Sequence, residues 1–278
     1  MGELIQALIL GIVQGITAWI PVSSKTQVLL VGSALFSLSF QTAIAYALVF
    51  HIGDLMAALY KYRREYLGAA RLGISSPAKI LGEWRDAAAA EQAFLILSII
   101  ATCVIALPAY LLAKHVFANL SGEWLLAAVG LLLLVMAGIT FGSRRGAAGN
   151  APITRKNAIL TGMAQGLAVI PGISRSGITQ CSLLLQGVRP EKAMRLSFLM
   201  SAPMIAAAFV AFYFVEGFAG IGMGAAAIGI AASAIVSFFT MDALTKLAKR
   251  MPAHYFLAAI GLLAIVPLLL KLALGVGE

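Results

Sequence analysis

GIVQGITAWIPVSSKTQ, from Gly11 to Gln27, and GMAQGLAVIPGISRSGIT, from Gly162 to Thr179, are the two stretches that decide the fold of this chain. Set side by side, Gly11, Gln14, Gly15, Ile20, Pro21, Ser24 and Lys25 align with Gly162, Gln165, Gly166, Ile170, Pro171, Ser174 and Arg175, with Trp19 as one extra residue. Each stretch places a helix-breaking proline, then hydroxyls, then one cation inside sequence apolar enough for lipid. Backbone that leaves the helix at membrane depth must be buried in protein or line a wet cavity. Two related copies of such a break point to a site built at a repeat interface.

The surroundings of these knots set the class. The 278 residues are 61% hydrophobic and 11% charged, with a mean hydropathy of +0.96, where soluble domains carry roughly 25% charged residues. A polytopic helical membrane protein follows. The net charge of +9 sits in short loops between apolar stretches, so it is not a nucleic-acid footprint. Cys103 and Cys181 lie in apolar surroundings without metal-ligand spacing and read as buried small hydrophobes. Glu3 stands where a signal peptide would be basic, and no removable signal is expected.

Six stretches approach the roughly 20 apolar residues that cross a bilayer: about 41–61, 92–114, 124–142, 193–215, 222–245 and 254–275. Two further apolar regions, about 3–38 and 157–187, are broken near the middle by the knots. A single such region reads equally well as a proline-kinked span. The duplication favours re-entrant helix pairs. The expected fold is all-α and integral to the membrane: six spanning helices plus two re-entrant hairpins in an inverted repeat. It forms one membrane domain over 1–278, with repeats at about 1–115 and 150–250 and a cytoplasmic loop at about 62–91.

Charge gives the orientation. Of the 20 lysines and arginines, all but Lys25 and Arg175 in the knots and Lys114 and Lys271 fall on one side of this arrangement. That side is cytoplasmic by the positive-inside rule. Both termini then face outward, and the knots dip in from opposite sides to meet near mid-membrane. The predicted location is the cell membrane, as a multi-pass protein.

The knots carry phosphate chemistry. Ser174, Arg175, Ser176 and Gly177 precede an apolar helical run, and hydroxyls with freed N–H groups at a helix start cradle anions. The planar fork of Arg175 suits phosphate oxygens. Ser23, Ser24, Lys25 and Thr26 offer a similar cradle in the first knot. A cation at bilayer depth is costly and reads as functional. The competing readings pair Arg175 with a buried carboxylate such as Asp54, and let Lys25 snorkel to the surface. Serines commonly satisfy helix backbone in membranes, and Gln14 and Gln165 serve equally as glue between helices.

PVSS in the first knot, PGISRSGIT in the second and RLSFLMSAP at Arg195–Pro203 resemble the undecaprenyl-diphosphatase, or bacitracin-resistance, family over essentially the whole chain. The resemblance implies removal of the terminal phosphate from undecaprenyl diphosphate, which recycles the carrier lipid of cell-envelope synthesis. It also implies a divalent cation, Mg²⁺ or Ca²⁺. Ser24 matches the family's first-hairpin serine, a nucleophile or ligand, and Ser174, Arg175, Ser176 and Thr179 match its diphosphate loop. The family's two acidic residues four apart are here Gln14 and Ala18, and its histidine three residues after the serine is Gln27.

His51 and Asp54 could fill that gap, since a spacing of three puts both on one helix face. Three readings stand: a catalytic carboxylate with a proton-shuttling histidine, a proton-coupled pair in a transporter, or a fixed partner for Arg175. The expected function is hydrolysis of a polyprenyl diphosphate, with Ser24, Arg175, Asp54 and His51 catalytic. Substrate contacts are expected from Gln14, Ser23, Lys25, Thr26, Gln27, Ser174, Ser176, Gly177 and Thr179. A polyprenyl-phosphate translocase and a non-hydrolysing binding protein are the alternatives. The partners are the lipid substrate and membrane lipid, not nucleic acid; a homodimer is left open.

Overall fold

The computed structural model describes residues 2–21, 24–82, 84, 86–115, 127, 131, 134, 135, 152–169, 173–215, 221–251 and 253–274. Every regular element among them is helical. The order is α1 (Gly2–Thr17), α2 (Ser24–Phe36), α3 (Phe40–Lys61), α4 (Arg63–Ser75), α5 (Ala87–His115), α6 (Arg155–Gly166), α7 (Arg175–Leu185), α8 (Pro190–Leu199), α9 (Ser201–Val215), α10 (Met223–Arg250) and α11 (Ala253–Leu274). Among the described residues, four stretches are long and apolar enough to cross a membrane: Gln41–Lys61, Ala87–Ala109, Pro190–Val210 and Met223–Arg250. The molecule is a helical membrane protein. The expected span at 124–142 lies almost wholly outside the described residues, as do Ser23 and the Pro171–Gly172 step.

The helix is interrupted in both knots, after Thr17 in the first and after Gly166 in the second. α1 and α2 have 16 and 13 residues, and α6 and α7 have 12 and 11. At 1.5 Å per residue each is about 16–24 Å long, short of the roughly 30 Å hydrocarbon layer. The exits from the knots also correspond. Ser37 (φ 52°) follows the end of α2 and Gly187 (φ 77°) follows that of α7, both left-handed and 150 positions apart. Ser39 then caps α3 and Arg189 stands before α8, again 150 apart.

Some boundaries depart from the sequence reading. α5 starts at Ala87, five residues early, because Asp86 Oδ1 accepts the Ala89 N–H at 2.7 Å and caps an alanine run. The stretch read as a span at 193–215 begins at Pro190, and a one-residue turn at Met200 divides its helix. The loop expected at 62–91 holds α4, docked by Tyr66, whose hydroxyl donates to the Leu199 carbonyl at 2.8 Å. Arg195 supports it by pairing with Glu65 of α4 and Glu91 of α5. Cys181 is buried as expected, but Cys103 is exposed. With Ile100, Val104 and Leu107 it forms an outward apolar stripe on α5, which is the composition lipid demands.

Contacts divide the chain into two compact units: Met1–Arg63 with Ser201–Leu244, and Arg64–Met200 with Thr245–Glu278. In the first, α1 lies on α10. A Cβ at Gly11 would strike the Gly229 carbonyl, and one at Gly15 would strike Ser233 and Val236. In the second, α6 lies on α5, with Gly162 against Ser98 and Gly166 against Ile105. Glycines four apart let helix backbones approach where no hydrophobic drive separates lipid from protein. In both units the first helix of a knot therefore packs on a long helix distant in sequence.

Candidate functional site

In the first unit the polar residues of α1, α2, α3 and α10 converge on Asp54, which is fully buried. Its Oδ1 accepts from Ser233 Oγ at 2.8 Å and Ser237 Oγ at 2.6 Å. Its Oδ2 accepts from Gln14 Nε2 at 2.7 Å and lies 2.7 Å from His51 Nδ1. Gln14 Nε2 also stands 3.3 Å from Ser24 Oγ and 2.9 Å from His51 Nδ1. A carboxylate has about four lone-pair positions, so all are accounted for by these donors.

Counting hydrogens assigns the imidazole. Gln14 Nε2 has two, one for Asp54 and one for Ser24 Oγ. His51 Nδ1 then carries a hydrogen and donates to Asp54, which makes Nε2 the basic nitrogen of the ring. Asp54 is dry, while the His51 side chain keeps 17% of its surface accessible. The pair is a buried carboxylate behind a partly accessible ring. Ser24, the first residue of α2, is buried beside it at 8% exposure. Lys25 is exposed, and Thr26 and Gln27 are partly buried on the following turn.

In the second unit Ser174 is the N-cap of α7, its Oγ accepting the Gly177 N–H at 3.2 Å and lying 3.1 Å from Ser176 Oγ. Arg175 follows, partly buried, as the first helical residue. The Gly177 N–H is thus spent on the cap. The Thr179 hydroxyl, 2.9 Å from the Arg175 carbonyl and 2.6 Å from Ser197 Oγ, holds the helix turn and ties α7 to α8. Ser174, Arg175 and Ser176 stand together at the start of α7.

Ser233, Ser237 and Ser197 were not singled out from sequence. The only signal for the first two is a spacing of four in an otherwise apolar helix. In this hydrogen-bonded arrangement Asp54 does not fit Mg²⁺ or Ca²⁺ as a ligand. Such ions take six or more oxygen ligands or keep several waters, whereas the lone pairs of Asp54 are filled by N–H and O–H donors. No group of three His, Cys, Asp or Glu among the described residues could hold a metal ion.

Long apolar helices with a buried carboxylate–imidazole pair, and a hydroxyl- and guanidinium-bearing helix start, define a membrane protein with polar chemistry inside its helices. The chain belongs to the family described as bacitracin resistance protein BacA, whose model matches residues 7–266. It is 34% identical over 273 residues to the undecaprenyl-diphosphatase of Haloarcula marismortui, covering 96% of this chain and 97% of that one. The undecaprenyl-diphosphatase of Saccharolobus solfataricus is 32% identical over 276 residues, 96% of each chain. That of Methanococcoides burtonii is 32% identical over 279 residues, covering 97% of this chain and all of the relative.

Proposed function

We propose that this protein hydrolyses a long-chain polyprenyl diphosphate of the undecaprenyl type to the monophosphate, regenerating a carrier lipid. The observation that carries this reading is the His51–Asp54 pair bonded to Gln14 beside Ser24. It supplies the carboxylate and imidazole that Ala18 and Gln27 cannot. The diphosphatase names of relatives aligned end to end support the same chemistry.

Ser24 Oγ attacks the terminal phosphorus as its proton passes to His51 Nε2. The Oγ–P bond forms, the bond from that phosphorus to the bridging oxygen breaks, and polyprenyl monophosphate leaves with the electron pair. Water then attacks the phosphoserine, the Oγ–P bond breaks, and His51 returns its proton to Ser24. Phosphate departs with the proton lost by water. Asp54 stays charged and holds the ring, a general acid–base arrangement worth roughly 10²–10⁴-fold. Arg175 with the hydroxyls of Ser174 and Ser176 binds the diphosphate oxygens. No step is assigned to a divalent cation.

The membrane arrangement belongs to the same reading. The short paired helices of each knot are re-entrant hairpins, and the halves at about 1–115 and 150–250 are inverted repeats. The left-handed residues and helix starts 150 positions apart support this. With six spans, both termini lie outside. Each hairpin packs on the long helix of the other half, α1 on α10 and α6 on α5.

The test is phosphate release from a long-chain polyprenyl diphosphate by purified protein, with Mg²⁺, with Ca²⁺ and with chelator. Release in chelator is expected. No release under any condition, together with lipid transfer between leaflets of a reconstituted vesicle, would replace the hydrolase with a translocase.

A further inference from the structure

We infer that Ser233 and Ser237 are positioning residues for the reaction: together they fix the Asp54 carboxylate so that it presents Oδ2 to His51. The inference rests on the acid–base reading above and adds two residues from a helix nearly 180 positions away.

Both serines are fully buried on α10. Each has one hydrogen and two acceptors in range. Ser233 Oγ is 2.8 Å from Asp54 Oδ1 and 2.9 Å from the Phe50 carbonyl. Ser237 Oγ is 2.6 Å from Oδ1 and 3.4 Å from the Gly15 carbonyl. An ionised acceptor makes the stronger bond, so both hydrogens go to Oδ1. That fills one oxygen from α10 and leaves the other to Gln14 and His51. The carboxylate is held from α1, α3 and α10 at once and cannot rotate without losing a donor. Gly53 makes this possible, since a Cβ there would strike the Ile230 carbonyl and Ser233. α3 therefore rides close enough on α10 for hydroxyls as short as those of serine to reach.

The second unit provides an internal comparison. α5 carries Ser98 and Thr102, also four apart and fully buried, at the equivalent glycine crossing. Ser98 Oγ bonds the Leu95 carbonyl; Thr102 Oγ1 bonds the Ser98 and Gly162 carbonyls and accepts from Gln165. Their acceptors are backbone carbonyls. Packing a knot on a long helix needs no more than that. Aiming the hydroxyl pair at a carboxylate is particular to the unit that holds His51.

The experiment compares Ser233→Ala/Ser237→Ala with Ser98→Ala/Thr102→Ala in full-length protein in detergent. The first is expected to lower kcat about 100-fold, the scale of a misplaced catalytic group, with KM within about twofold. The second is expected to keep kcat within about twofold. Ser233→Thr, which restores a hydroxyl, is expected to recover most of the activity lost in Ser233→Ala. Should the double variant not fold, each single variant is expected to lose kcat several-fold with KM unchanged. Nitrogen-15 NMR of the three histidines gives a readout independent of turnover. The His51 Nδ1–H signal is expected in the parent protein and exchange-broadened in Ser233→Ala/Ser237→Ala. A folded double variant with kcat within threefold of the parent, or an unchanged Nδ1–H signal, overturns the inference. Absence of phosphate release by the parent protein would remove the hydrolase reading instead, and the NMR comparison would still decide the role of the serines.

Discussion

Gln14 Nε2 donates to Asp54 Oδ2 at 2.7 Å, joining the helix of the first knot to the spanning helix beyond it. An amide at position 14 and a carboxylate at position 54 belong together. A glutamate at 14 would set a second anion against a buried one, and two such groups cannot both ionise at that distance. The carboxylate of this site stands on α3, and Gln14 of the first knot is a donor that accommodates it.

Gln14→Glu is therefore expected to lower stability, by about 3–5 kcal/mol if the charge is left uncompensated. Gln14→Glu/Asp54→Asn moves the carboxylate to α1, keeps an amide beside it, and should recover most of that loss. Thermal unfolding in detergent measures both. Losses in the double variant equal to the sum of the singles would show that the two positions do not communicate.

Asp54→Asn keeps size and polarity and deletes the charge behind His51. Turnover should fall by roughly 10²–10⁴-fold while lipid binding is largely kept. If instead turnover is intact and reconstituted lipid flipping loses its dependence on a proton gradient, the pair serves transport.

Arg175→Ala removes the guanidinium from the start of α7 and should weaken polyprenyl-diphosphate binding. Losing a charge-assisted hydrogen bond costs about 1.5–3 kcal/mol, or roughly 10–150-fold in affinity. Affinity within a factor of two in the folded variant would take Arg175 out of the substrate contacts.

The breaks were legible because proline acts locally: no helix runs through Pro21, and α1 has ended by Thr17. His51 and Asp54 were legible as a pair because a spacing of three fixes a helix face. Ser233 and Ser237 were not, since buried hydroxyls are common in membrane helices and only the approach of α3 at Gly53 shows what they bond. Arg195 was legible only as the first residue of the RLSFLMSAP stretch and as one of the cations on the cytoplasmic side. Its role depends on Glu65 and Glu91, both of which the sequence reading had placed in the loop at about 62–91. Thr179 matched a motif by position, yet its hydroxyl is held by Ser197, a contact between helices that no single stretch of sequence displays.

Re-entrant hairpins make a topological prediction. In a protein with Cys103 and Cys181 replaced by serine, single cysteines at Gly2 and Ser39 should react with an impermeant thiol reagent from outside intact cells. One at Gly187 should react only from the cytoplasm. Labelling of Gly2 and Ser39 from opposite sides would make α1 and α2 one kinked span and remove the inverted repeat.

Gly162→Val tests the packing of the second knot apart from its chemistry. Gly162 touches no residue assigned to the reaction; an added Cβ there would strike the Ser98 carbonyl and Ala101 on α5. Neither obstacle is the end of a flexible side chain, so α6 must move off α5. That also breaks the bond from Thr102 Oγ1 to the Gly162 carbonyl, 3.0 Å long. Overpacking typically costs about 1–3 kcal/mol, and the expected result is a lower unfolding temperature in detergent. Because α6 leads into the loop before Arg175, diphosphate affinity should fall with it. Gly2→Val, at a position with open space around it, should change neither. A Gly162→Val protein as stable as its parent would mean that the glycine crossing does not hold this hairpin in place.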